Sequence, residues 1–154
     1  MAITVDINVM CDDFWIPSQD QFLRWAEAAL AHNPLKSAEV SVCIVDTDTI
    51  QQLNRDYRGK DKPTNVLSFP QDEHHLPDGT FPIGDVVICS SVLESEAKAQ
   101  NKPLEAYWAH MLVHSVLHLL GMDHVKSREA EKMESLETSI MQELGYPAPY
   151  GETE

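Results

Sequence analysis

The chain is short of several things, and each shortage removes a class. Its three cysteines, Cys11, Cys43 and Cys89, are odd in number and widely spaced. They make neither a disulfide framework nor a Cys-x-x-Cys metal or redox motif. No apolar run approaches the length of a membrane span. The N-terminus, Met-Ala-Ile-Thr-Val-Asp, lacks the basic start and apolar stretch of a signal peptide, so a cytoplasmic protein is expected. Lysine and arginine number only 11 against 25 aspartates and glutamates, a formal net charge of −14. Phosphate neutralisation supplies most non-specific nucleic-acid affinity, so only weak general nucleic-acid affinity is expected, with a partner or a specific substrate needed to hold the strand. The cations are not spread evenly, however. Arg55, Arg58, Lys60 and Lys62 fall in one short block. They predict a local basic patch on an acidic body.

What is present is a domain's worth of apolar residues. At 154 residues and 43% hydrophobic composition, the chain can bury a core, and residues 1–154 are expected to form one domain. Ile3, Val5, Ile7 and Val9 alternate with polar residues, the pattern of a half-buried strand. Ser18 can cap a helix to about His32, ended by Asn33-Pro34. Strands are expected over Glu39–Val45, Asn65–Phe69 and Ile83–Cys89. A helix from Asp46 or Thr47 to Tyr57 should turn Ile50, Leu53 and Tyr57 inward. Further helices are expected over 90–101, 103–120 and 127–144, the second almost apolar all round and therefore buried. This order suggests an α/β or α+β layer. Gly84-Asp85 should lie at a sheet edge or beside the site, and the tail Tyr146–Glu154 should fray.

The chemistry concentrates in His114–His124, H-S-V-L-H-L-L-G-M-D-H. His114 and His118 share a helix face, about 6 Å of rise apart. Gly121 permits the left-handed turn that ends a helix, after which His124 can return as a third nitrogen ligand. Three histidines and an open fourth position describe a catalytic zinc site rather than a structural one. Nickel or copper could use the same nitrogens. His110 lies about 12 Å of rise from His118, too far to share one ion, and reads as a buried supporting histidine. Asp123 reads as fixing the turn or orienting a ligand, and His74 and His75 as a surface pair. Arg58 has the permanent charge and forked donors that can grip a phosphate; the plainer reading is a surface arginine in a basic loop.

The spacing His-x3-His-x2-Gly-x2-His is that of metzincin metalloproteases, but the glutamate that serves them as general base is Ser115 here. A closer resemblance is to the YbeY family of bacterial rRNA-maturation endoribonucleases, with motif H-G-x-L-H-L-x-G-x-D-H. The chain departs at Ser115, where glycine is usual, and at Met122, where tyrosine is common. A second block, Tyr57–Pro70 (Y-R-G-K-D-K-P-T-N-V-L-S-F-P), resembles the family's other signature, with Asn65 where aspartate is common.

The resemblance implies an α+β, zincin-like fold: a small mixed four-stranded sheet covered by helices, with a buried central metal-binding helix. It implies one Zn2+ on His114, His118 and His124, and Arg58 and His114 as catalytic residues. It further implies cleavage of single-stranded RNA in maturation of the 16S rRNA 3′ end and in ribosome quality control, with the small ribosomal subunit as partner and neither DNA nor membrane. Zinc-activated water and 2′-hydroxyl attack both remain open as routes. So do two other functions: a metallopeptidase-like zinc hydrolase, and a ribosome-associated binding protein with a structural zinc.

Overall fold

The computed structural model describes residues 2–31, 37–71, 80–121 and 127–150. His74, His75, the turn at Pro77-Asp78-Gly79, Asp123 and His124 lie outside the described residues. Nine elements follow in order: β1 (Ala2–Val9), α1 (Gln19–Leu30), β2 (Ser37–Val45), α2 (Thr47–Arg58), β3 (Val66–Pro70), β4 (Phe81–Cys89), α3 (Ser90–Ala99), α4 (Leu104–Leu119) and α5 (Ser127–Glu143). They form a mixed α/β fold, with a four-stranded sheet and five helices among the described residues. The sheet order is β1-β2-β4-β3. β1, β2 and β4 run parallel and β3 is antiparallel to β4. Among the described residues no helix is long and apolar enough to cross a membrane.

Strand alternation divides the core in two. Val5, Val40, Val42, Ile44, Val86 and Ile88 face a large cluster built with α1, α3, α4 and α5. The opposite face packs a smaller one, in which Ile50 of α2 meets Val45, Leu67, Val87 and Cys89. α4 is the central helix, with eleven of its sixteen residues buried. One aromatic edge joins it to α1: Phe22 lies edge-on to Trp108 at 6.0 Å, and within α1 to Trp25 at 5.8 Å. Such pairs contribute about 0.5–1.5 kcal/mol each beyond burial. The helix that carries the histidines is therefore set by the most tightly buried part of the core.

Two local expectations are corrected and one is narrowed. β4 is an inner strand, so of the two places expected for Gly84, the sheet edge or beside the site, the sheet edge is ruled out. Gly84 adopts φ +146°, where the β2–β4 register jumps between Glu39 and Val40. A Cβ there would stand 2.4 Å from Phe69 O and 2.7 Å from Leu119 Cδ2. Tyr57 does not turn inward with Ile50; it is 68% exposed. The tail does not fray over 146–150. The Tyr146 hydroxyl donates to Glu105 at 2.6 Å, Lys102 Nζ donates to Pro149 O at 2.9 Å, and the Tyr150 hydroxyl donates to Glu137.

Candidate active site

α4 ends as its sequence dictates. Gly121 takes φ +97°, and its N–H donates to His118 O at 3.0 Å. His114 and His118 thus occupy the last turns of a buried helix. Both line a cleft of about 410 Å3 whose other walls are β3 and the end of α2. Arg58, the last residue of α2, lines the same cleft. Asp46 caps the start of α2, accepting from Thr49 N at 2.8 Å. Gly59 ends it in the left-handed conformation with its N–H on Arg55 O at 3.0 Å. The basic loop that follows is anchored from below, because buried Asn54 donates through Nδ2 to Lys62 O at 2.9 Å. Lys60 and Lys62 are exposed beside it.

Behind the cleft sits a residue that the motif reading missed. Glu137 of α5 is fully buried. One oxygen lies 3.0 Å from His110 Nε2, and the other meets His114 Nδ1. Burial pushes its carboxyl up, but hydrogen bonds from His110, His114 and Tyr150, with the charge of His114, outweigh that and hold it at about 2. A carboxylate only accepts, so His110 donates through Nε2 and His114 through Nδ1. A neutral His114 in that tautomer carries its lone pair on Nε2. Burial, then the bond to Glu137 and its charge, push the Tyr150 phenol up, so it remains a donor. The potential ligand atoms of His110, His114 and Glu137 lie within 4.8 Å of one another, and this group could hold a metal ion. Glu137 was findable in principle: it is a carboxylate on the inward face of α5 that also carries Met133, Ile140 and Met141.

A second, partly buried network anchors the start of β3, the other wall. Asn65 donates through Nδ2 to Glu96 Oε1 at 3.0 Å, and its Oδ1 accepts from Val66 N at 2.7 Å. The Tyr107 hydroxyl donates to the same Glu96 oxygen at 2.8 Å. An aspartate at 65 would set a like charge against Glu96, whereas the amide donates. Ser115, which stands where metzincins have their base, is fully buried, and its hydroxyl has no partner among the described residues.

The structure therefore brings together Arg58, His114 and His118. His110 is buried outside that cleft, bonded to the carboxylate that also meets His114. The chain matches the family model of Endoribonuclease YbeY over residues 11–145. It belongs to that family, and is an endoribonuclease of rRNA processing. A solution structure of the Thermotoga maritima protein TM1509 shares its fold, with TM-score 0.54 and 24% identity over 90% of this chain and 91% of that one.

Proposed function

We propose that the chain, acting as one domain over residues 1–154, is a zinc-dependent endoribonuclease specific for single-stranded RNA. Its role is maturation of the 16S rRNA 3′ end and ribosome quality control, in the cytoplasm, at the small ribosomal subunit. The observation that carries the reading is the shared cleft of Arg58, His114 and His118. His114, His118 and His124 would hold the ion. The donor set fits. Two imidazoles one turn apart line the cleft, and one is turned by a buried carboxylate, the usual partner of a metal-binding histidine. Zinc on three neutral imidazoles would supply positive charge to a phosphoryl oxygen and acidity to water, lowering its pKa from about 15.7 towards about 7.

The protein groups have separate tasks. Arg58 grips two oxygens of the scissile phosphate in its fork and neutralises its charge. Glu137 fixes the tautomer and orientation of His114, while His110 and Tyr150 hold Glu137. Lys60 and Lys62 position the flanking backbone without reading sequence. A peptidase reading lacks its general base, since Ser115 occupies that place.

The test is cleavage of a labelled single-stranded RNA by the protein and by His114→Ala prepared identically, with metal content measured for both. Cutting by the unaltered protein alone, with loss of the ion in the variant, supports the reading. Equal cutting by both removes it.

A further inference from the structure

The opposite face of the sheet carries a second cleft, of about 610 Å3. Its floor follows from the strand register. Asp6 pairs with Ser41, Ser41 with Asp85, and Asp85 with Phe69, a single row across all four strands. Two residues further on, Asn8, Cys43 and Val87 make the next row of the same face. Tyr57 and Phe69 belong to both this cleft and the cleft of Arg58. Their rings meet edge to face, with centroids 5.1 Å apart. The path from the histidines onto the open sheet thus crosses an aromatic ring that is largely exposed.

The two clefts have opposite electrostatics. The first holds Arg58, with Lys60 and Lys62 nearby. The second contains Asp6 and Asp85, and its described lining residues include no lysine or arginine. A phosphate is drawn to the first and repelled by the second. A nucleobase is neutral, stacks on an exposed ring, and can donate to carboxylates, which only accept. Burial, then the charge of Asp85, push the Cys43 thiol up, so the cleft gains a weak donor there rather than another anion. Asp85 lies directly opposite Phe69 in the register. Asp6 is two strands further on, about 10 Å away, and serves to keep the cleft negative.

We propose that the second cleft receives a nucleobase flanking the phosphate held at Arg58, with Tyr57 as its stacking platform and Asp85 selecting a base that carries an exocyclic amino group. This rests on the ribonuclease reading of the first cleft. The test compares cytidine and uridine, which are nearly equal in size but present an amino donor and a keto acceptor at the same position. Binding of fluorescent 2′-O-methyl C6 and U6, checked to be intact after each titration, is measured for the unaltered protein, Tyr57→Ala, Tyr57→Phe and Asp85→Asn. Cleavage of unmodified C6 and U6 is followed in parallel. C6 should bind about tenfold more tightly than U6. Tyr57→Ala should weaken both at least about fivefold while Tyr57→Phe keeps them. Asp85→Asn should bring C6 and U6 to near equality. Equal affinity for C6 and U6 in the unaltered protein overturns the proposal, as does unchanged binding by Tyr57→Ala. If the binding pattern holds and no RNA is cut, the base subsite stands and the ribonuclease reading fails. If RNA is cut and the variants bind like the unaltered protein, the subsite alone fails.

Discussion

Glu137 Oε2 lies 3.0 Å from His110 Nε2, and its other oxygen meets His114 Nδ1 one turn further along α4. One buried carboxylate therefore orients two histidines on the central helix. On the proposed assignment Glu137→Gln lowers zinc affinity about 10–100-fold, the usual effect of losing such a partner. Metal content after dialysis against graded chelator measures it. Unchanged retention would show that Glu137 serves packing alone.

Arg58 is exposed at the end of α2. Arg58→Ala should lower kcat/KM for RNA by about 10²–10³ and shift stability by no more than about 0.5 kcal/mol. Arg58→Lys keeps the charge and loses the fork, so it should recover only part of the rate. Full activity in either variant would move the phosphate grip elsewhere.

Binding should depend on salt, but shallowly. With Arg58, Lys60 and Lys62 as the phosphate contacts, a plot of log affinity against log salt has a slope of about −2 for a single strand. The double variant Lys60→Ala, Lys62→Ala should bring it to about −0.7. A titration across salt concentrations checks both figures.

Among the described glycines, Gly84 is the one least able to accept a side chain. Ala at 84 combines a positive-φ penalty with overlap against Phe69 O and Leu119. The cost is about 3 kcal/mol, or a fall in Tm of about 6–12 °C. Because Phe69 is on β3, the cleft wall should loosen too, and RNA cleavage should fall more than the unfolded fraction explains.

Burial, then the hydrogen bond to Glu96 and its charge, push Tyr107 up to about 12. Its folded pKa exceeds the ordinary value of about 10. The linked stability is thus fully present below about pH 10 and is lost as pH rises towards 12. Tyr107→Phe should be less stable at neutral pH by about 1 kcal/mol. The gap to the unaltered protein should narrow above pH 10, as measured by urea midpoints.

Much of this was readable in the residues. Alternation in β2 and the apolar wrap of α4 announce their own burial, whereas in β1 Val5 is buried and Val9 is exposed. The His114–His118 spacing places two imidazoles in one cleft, and Gly121 ends the helix where expected. What was hidden depends on contacts between distant parts of the chain. Glu137 reaches His114 across 23 residues, and no spacing rule links them. Tyr146 and Tyr150 look like part of a proline-rich acidic tail, yet they dock because α4 and α5 offer carboxylates beneath them. Tyr57 has the right helical phase for burial, but the sheet leaves that end of α2 uncovered.

The docked tail has a consequence for the order in which the protein is made. The chain is synthesised from its N-terminus, so His110 and His114 exist before Glu137, and Glu137 before Tyr150. Until Glu137 has been made and α5 has docked, the two histidines lack the carboxylate that fixes their tautomers. The site is therefore completed by two segments that follow α4 in the chain, and docking of α5 and of Tyr150 is what finishes it.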